Sequence, residues 1–358
     1  MFKLIAENGA RTGIFKVNNK KIETPFFMPV ATKAVGKYIG SMDYSELNAK
    51  AIISNSFLLS LNPGLDVIKD IHKFMNYNDI IFTDSGGFQI IRSMYINSAE
   101  RGILFKDPFT NKKELFSPEK VIQIQNKINS DVAMVLDDMS PYSASKKSAA
   151  ESLKNTHAWA EKQVRLHKNK KQFLFGIIQG SFYKDLREKS AKFITSLDFD
   201  GIAVGGLAIG ESKENTKKAL SWTKPFLPEN KIRYAMGIGE FNDLFYFIEN
   251  GIDCFDSVFP TQNGRHNTLF TNNGKLYINK SRYKNDSKPI DKECNCKICK
   301  NFSRSYLNYL ARSDDPMAKY YFSYHNLYFY QELMKRIRIS IKEHEFSKFK
   351  QKFLKYYK

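Results

Sequence analysis

The chain has 358 residues, 42% of them hydrophobic, enough to bury a full-sized core and to exclude disorder over most of its length. No apolar run approaches the ~18 residues of a membrane span, and the opening MFKLIAENGARTG carries too short an apolar stretch for a leader, so a cytoplasmic protein is expected. A formal charge of +19, with basic clusters at 162 to 172, 275 to 300 and 333 to 358, favours a polyanionic partner, whereas only four cysteines, three of them close together, exclude a secreted disulfide framework. Because the excess charge is mostly lysine, compositional drift explains part of it, and motifs must decide for or against nucleic acid.

Eight short apolar runs recur, each followed by a segment with helical periodicity. In chain order they are TPFFMPVAT from residue 24, KAIISN from 50, DIIFTD around 80, DVAMVLD from 131, FLFGIIQ from 173, DGIAVGG from 200, IRYAMGI from 232 and GIDCFDS from 251. Continuous apolar runs alternating with helices predict a parallel sheet, and eight units predict an α/β fold, the (β/α)8 TIM-like barrel, with an open doubly wound sheet as the alternative. The runs end on Thr32, Asn55, Asp84, Asp137, Gln179, Gly205 with Gly206, Gly237 and Asp256. In a barrel these positions converge on the C-terminal rim, where active sites are built, so one ring would hold three carboxylates, an amide and exposed backbone N–H groups. The loops after the first, third and eighth runs are the longest. From about residue 272 the pattern changes to a polar, Lys-rich stretch, then a cysteine cluster, then helical sequence. This predicts a catalytic barrel over 1–271 and a zinc-binding subdomain with C-terminal helices over 272–358. The segment LYFYQELMKRIRISIKEHEF, 327 to 346, reads as one amphipathic basic helix, packed on the domain or used as an RNA or dimer contact.

Cys294, Cys296 and Cys299 form C-x-C-x2-C, and His325 follows in SYHNLYFY, which reads as a helix. Three thiolates and one imidazole make the tetrahedral Cys3His set of a closed structural zinc site, one Zn2+ per chain, and the lack of a fourth thiolate nearby argues against an iron–sulfur cluster. Spacing alone leaves the other histidines as rivals for the fourth position, and Cys254 could join only if the fold delivered it. Four protein ligands leave no open position, so the metal is expected to staple the fold and not to catalyse.

Asp84 lies in TDSGGFQ, Asp137 and Asp138 in VLDDMSPY, and Asp256 in FDSVFPT. Each alone reads equally well as a capping aspartate that satisfies orphan N–H groups. Three such strand ends in one barrel favour chemistry instead. One carboxylate can attack an anomeric carbon to give a covalent glycosyl–enzyme while a second moves protons, which also suits breaking an N-glycosidic bond.

On these residues the chain resembles the tRNA-guanine transglycosylase (queuine tRNA-ribosyltransferase) family, bacterial type. TDSGGFQ, GIIQGS, AVGGLAIGE, YAMGIGE, GIDCFDSVFPT and CNCKIC with His325 occur in the family's order, over nearly the whole chain. The resemblance implies exchange of guanine at the first anticodon position of tRNAs with G-U-N anticodons for a 7-deazaguanine base, through a covalent aspartyl-ribosyl intermediate, in queuosine modification. It implies that Asp256 is the nucleophile, that Asp84 is the general acid/base, and that Asp137 reads the ring N–H and exocyclic amine of guanine as a bidentate pair. Gln179 and the Gly206 N–H would hold the purine carbonyl, Phe88 and Met236 would sandwich the ring, and Ser85 would join the substrate-binding set. Leu207 and Ala208, with Glu211 behind them, match the segment whose backbone meets the substituent of the incoming base. Arg265 in NGRHN and Gln262 would contact the RNA, although a salt bridge closing the barrel is the structural alternative for Arg265. The implied partners are tRNA, the base and a second copy of the chain in a homodimer, with no membrane.

The departures from the family pattern are specific. Members usually carry NTYHLxxRPG where this chain has NSFLLSLNPG, which puts Leu58 and Asn62 in place of His and Arg, and Gln262 replaces an Arg usual before the G-R pair. A Gln lacks the bidentate contacts of a guanidinium, so tRNA recognition is expected to differ there. Met139 stands where members inserting 7-aminomethyl-7-deazaguanine typically carry the Cys of FDEC, while members accepting queuine resemble LDD followed by an apolar residue. A flexible Met fits neither pattern cleanly and leaves both bases open. Two other readings compete. A non-catalytic tRNA-binding paralogue has no need of the Asp84 and Asp256 pair, and a barrel glycosidase explains the aspartates but neither the ordered motifs nor the basic charge.

Overall fold

In the computed structural model, which describes residues 1–357, the eight apolar runs become eight parallel strands. They are β1 (Phe26–Met28), β2 (Ala51–Asn55), β3 (Ile80–Asp84), β4 (Val132–Met134), β5 (Phe173–Ile178), β6 (Gly201–Val204), β7 (Ile232–Ala235) and β8 (Cys254–Asp256). Parallel ladders link β2 to β8 in sequence, and β8 pairs back onto β1, Asp256 opposite Met28. The ring closes just beyond β1, where Ala31 N–H donates to the Ile53 carbonyl at 2.7 Å and Asn55 N–H to the Thr32 carbonyl at 3.1 Å. The sheet is therefore a closed (β/α)8 barrel and not an open doubly wound sheet, and its strands are apolar on both faces because side chains fill the inside and helices cover the outside.

Helices at Lys146–Leu166, Lys184–Ser196, Lys213–Thr223 and Phe241–Glu249 follow β4, β5, β6 and β7 and cover the outside. Ser145 and Ser212 start two of them by accepting the Ser148 and Asn215 N–H groups, a cap for otherwise orphan donors. The long third connection folds into its own antiparallel sheet, Tyr95–Ala99, Gly102–Lys106 and Lys113–Phe116. It is tied back to the rim by Ser98, whose hydroxyl donates to Asp138 at 2.7 Å.

The first 24 residues, not anticipated as strands, make a three-stranded antiparallel sheet, Phe2–Asn8, Ala10–Val17 and Lys20–Thr24, that plugs the N-terminal end of the barrel. Phe15 reaches from it to Phe82, Phe173 and Phe175 at 5.9–6.3 Å between ring centres. Beside this aromatic floor, fully buried Arg11 forms a bidentate pair with fully buried Asp253, whose second oxygen also accepts the Arg233 N–H at 2.7 Å. Two further guanidinium hydrogens go to the carbonyls of Glu229 and Lys231, so four of the five donors are bonded inside the floor.

After β8 a short helix, Phe259–Arg265, leads to the hairpin Thr268–Thr271 and Gly274–Tyr277 and then to the cysteine cluster. The C-terminal helix differs from the expected 327–346. It starts at Pro316, capped by Asp315, and ends at Lys342, and a left-handed His344 (φ 58°) separates it from a last helix at Phe346–Leu354. Leu327, Tyr330, Leu333, Met334, Ile337 and Ile341 bury its inner face on the barrel. Gly264 lets the short helix approach it closely, since a Cβ there would stand 2.7 Å from the Phe322 backbone. Among the described residues no helix is long and apolar enough to cross a membrane.

Removing one member of a buried ion pair leaves the other charge without a partner. Arg11→Leu is therefore expected to cost about 3–5 kcal/mol of unfolding free energy in urea denaturation. A loss below about 1 kcal/mol would mean that the pair does not hold the floor.

Candidate active site and metal centre

The C-terminal rim of the barrel encloses a cavity of about 710 Å³, the size of a small-molecule site. Thr32, Asn55, Asp84, Asp137, Gln179, Gly205, Gly206, Gly237 and Asp256, the ends of all eight runs, line it. Each run delivers its last residue, at or just beyond the strand's end, to the same opening because the strands are parallel and the ring is closed.

Asp256 leaves β8 with one oxygen committed. The Tyr234 hydroxyl donates to its Oδ1 at 2.6 Å and the Gly237 N–H donates to the same atom at 2.8 Å. Among the described residues no donor from another residue takes Oδ2, so the carboxylate is fixed in orientation while one oxygen stays available to the cavity. Burial pushes its pKa up, and the Tyr234 hydroxyl, the Gly237 N–H and the residue's own N–H pull it back. Asp84, at the end of β3, is pushed up to about 7 by burial and then by the charges of Asp137 and Asp256, against the opposing pull of the Ser85 and Gly86 N–H groups. It can therefore hold or release a proton near neutrality. Asp137 is pushed up to about 6, chiefly by burial. Its Oδ2 accepts one amide hydrogen of Gln179 at 2.5 Å, which leaves the second amide hydrogen of Gln179 and Asp137 Oδ1 free of each other.

The loop after β6 runs along the wall. Gly206 adopts φ 64°, a conformation that favours glycine, and a Cβ there would fall 2.4 Å from Gln179 Oε1, so any other residue would displace the Gln179 amide. Leu207 and Ala208 also line the cavity, and Glu211 accepts the N–H groups of Ala208 and Ile209 at 2.7 and 2.8 Å. Phe88, 42% exposed, and partly buried Met236 are both at the cavity wall, as is Met139. Ser85 is not: its side chain is fully buried behind the rim, and only its N–H is directed at the Asp84 carboxylate. Gln262 reaches the cavity mouth, whereas Arg265, one turn on in the same helix, lies outside the lining beside Tyr38. Among the described residues Arg265 forms no ion pair, which removes the alternative of a salt bridge closing the barrel. Leu58 packs into the apolar core beside the rim, and Asn62 is exposed.

Away from the cavity, Cys294, Cys296, Cys299 and His325 converge, with all four ligand atoms within 4.8 Å of one another. The three sulfurs stand 3.8, 3.5 and 3.4 Å from His325 Nδ1. Metal–sulfur and metal–nitrogen bonds of about 2.3 and 2.0–2.1 Å on a tetrahedron require about 3.6 Å, so the group fits a closed tetrahedral metal site. His325 Nε2 is 2.8 Å from the Phe270 carbonyl, which fixes the tautomer that offers Nδ1 to the metal. Cys254 is buried in β8 and takes no part.

A sequence profile of the family described as "Queuine tRNA-ribosyltransferase" matches residues 6–358. The chain belongs to the queuine tRNA-ribosyltransferase family. It is similar to curated proteins of that name from Prochlorococcus marinus (43% identical, covering 94% of this chain and 92% of the relative), from a Thermoanaerobacter species (41%, covering 100% and 96%) and from Bacillus velezensis (40%, covering 98% and 93%).

Two residues that shape this queuine tRNA-ribosyltransferase-family site escaped the sequence reading. Tyr234 sits inside β7, two residues before Met236, and strand alternation would have aimed it at the barrel interior beside Asp256. Arg187 lies in a helix that reads as charged surface, yet it is fully buried against the carbonyls behind Gly206. No pattern in the sequence separates it from a solvated arginine.

An aspartate whose folded pKa is raised binds its proton more tightly in the folded than in the unfolded chain, so its contribution to stability is present at low pH and falls as pH rises between about 4 and 7. Asp84→Asn removes that loss. The variant is expected to melt above the wild type at pH 8, with the gap closing as the pH falls toward 4. A wild type that melts higher at pH 8 would contradict the raised pKa.

Proposed function

We propose that this protein is a tRNA-guanine transglycosylase that replaces guanine at the first anticodon position of G-U-N tRNAs with a 7-deazaguanine base, through a covalent aspartyl-ribosyl intermediate. The observation that carries this reading is the asymmetric clamp on Asp256, with Oδ1 held by Tyr234 and Gly237 and Oδ2 free in a cavity shared with a carboxylate that titrates near neutrality. A hydrolase of ordinary sugars would have equal use for the pair, but membership of the family favours ribosyl transfer on tRNA.

In this mechanism Asp256 Oδ2 attacks C1′ of the guanosine ribose as the bond from C1′ to the purine nitrogen breaks, and protonated Asp84 delivers its proton to the departing base. Guanine leaves, and the tRNA stays bound as the ester. The incoming base gives its ring proton to ionised Asp84, attacks C1′, and releases the Asp256 carboxylate. Asp137 accepts the ring N–H and exocyclic amine shared by guanine and 7-deazaguanines, which refuses adenine, while Gln179 and the Gly206 N–H serve the purine carbonyl. Phe88 and Met236 bracket the ring after the nucleotide has turned out of its stack. Arg265 and Gln262 face the RNA at the rim, with the basic C-terminal segments following the phosphates.

The proposed base is 7-aminomethyl-7-deazaguanine or queuine, both of which place their substituent toward Leu207, Ala208 and Met139. Zinc is the metal that the Cys3His set suits, held by Cys294, Cys296, Cys299 and His325, where it supplies structural cross-linking. Exposed aromatic and apolar side chains on neighbouring C-terminal helices, Tyr306, Tyr309 and Met317, support a homodimer contact there.

Labelled guanine is expected to enter G-U-N tRNA with the wild type, and Asp256→Ala is expected to abolish exchange while tRNA affinity stays within about threefold, because the substitution removes no phosphate contact. Turnover by Asp256→Ala would refute the assignment, and tRNA binding without exchange by the wild type would favour a non-catalytic paralogue. Native mass spectrometry is expected to find one zinc per chain, and chelation is expected to lower the melting temperature. Unchanged melting after metal removal would rule out a structural role.

A further inference from the structure

We propose that Arg187 is a positioning residue that aims and polarises the Gly206 N–H toward the carbonyl of the bound purine, an inference that rests on the base-exchange reading above. Arg187 lies on the helix Lys184–Ser196 and is fully buried, with no carboxylate at ion-pair distance. Its guanidinium donates only to backbone carbonyls: Nε to Ser181 at 2.6 Å, Nη1 to Gly205 at 2.8 Å and to Ile178 at 3.3 Å, and Nη2 to Gly206 at 3.2 Å. The opposite charge that acts on it, that of Glu211, makes no direct ion pair with it, and a buried cation held only by carbonyls is an expensive way to brace a loop, so its charge calls for a use.

The geometry supplies one. A trans peptide points its C=O and N–H in opposite directions. Holding the Gly205 carbonyl on Nη1 therefore turns the N–H of the same peptide unit, that of Gly206, away from Arg187. That N–H has no acceptor among the described residues although Gly206 is buried and lines the cavity, an arrangement rare unless a ligand completes it. The second bond, to the Gly206 carbonyl, fixes the following peptide and so locks the orientation. Charge-assisted donation to a carbonyl also withdraws electrons from the amide and strengthens its N–H as a donor. The result is a preorganised, polarised donor at the place where a purine oxygen gains negative charge as the base departs. On the other side of the loop Glu211 takes the N–H groups of Ala208 and Ile209, so among the described residues those of Gly206 and Leu207 are the ones left between the two anchors without an acceptor, and it is the Gly206 N–H whose own peptide carbonyl Arg187 holds at 2.8 Å. Burial lowers the Arg187 pKa only to about 10, so the charge persists at working pH.

The test compares, between variants, the change in inhibition constant for guanine and for 2-aminopurine, which lacks the carbonyl of guanine together with the N1–H that faces Asp137, a residue unaltered in every variant, in the labelled exchange assay with wild type, Arg187→Gln and Arg187→Lys, alongside melting temperatures. Arg187→Gln is expected to weaken guanine about tenfold or more while 2-aminopurine changes by less than about threefold, and Arg187→Lys is expected to recover part of the difference by restoring charge. Parallel weakening of both purines, or no change in either, would overturn the proposal, because a merely structural role does not distinguish them. Should Arg187→Gln fail to fold, Arg187→Lys carries the same comparison. A wild type that exchanges no guanine at all would instead sink the base-exchange reading on which the proposal stands.

Discussion

Three carboxylates share one buried cavity, and at low dielectric they cannot all ionise without cost. This constraint organises the molecule. Asp84 and Asp137 are both pushed upward by burial, and Asp84 also feels the charges of its two neighbours, while two donors on a single oxygen hold Asp256. Identical side chains thereby acquire different duties from their surroundings: a proton carrier, a reader of donors and an oriented oxygen nucleophile in the proposed exchange. The closed ring and its plugged floor are what keep such a cluster from relaxing apart. The buried Arg11 and Asp253 pair lies at the foot of β8, below Asp256, so the strand that carries the clamped carboxylate is fixed at both ends.

The C-terminal segment extends that rigidity to the outer face. One helix, Pro316–Lys342, carries His325 of the metal group and, next to it, Asn326, whose amide donates to the Pro260 and Thr268 carbonyls and accepts the Phe270 N–H. The metal group, the hairpin and the short helix bearing Gln262 and Arg265 are thus joined through two adjacent residues. Lys297, inside the cysteine cluster, pairs with Glu46 and lies over the Tyr324 ring, which ties the cluster to the connection after β1 as well. Loss of the metal would be felt at the proposed RNA-facing rim before it was felt at the carboxylates.

Much of this was legible in the sequence, because a parallel barrel writes itself as continuous apolar runs and places each run's last residue at one rim. Every run became a strand, and every run end lines the cavity. The parts that were not legible have physical reasons. The N-terminal strand Phe2–Asn8 is largely exposed and lacks a buried apolar run, so it does not read as a strand. Arg11 and Arg187 look like surface charge until tertiary structure buries them. The C-terminal helix begins earlier than expected, on the Asp315 cap and Pro316, and its end at Lys342 is followed by a left-handed turn at His344 with no glycine to announce it. Ser85 follows the Asp84 turn inward, which motif likeness does not reveal.

The most direct measurement is to locate the covalent adduct. The protein is incubated with G-U-N tRNA in the absence of a second base, denatured and digested, and the ribosylated peptide is identified by mass spectrometry. The account predicts a single adduct on the peptide that carries Asp256, lost in Asp256→Asn and retained in variants of the rim residues Gln262 and Arg265. An adduct on Asp84, or full exchange activity with no adduct on any carboxylate, would contradict it.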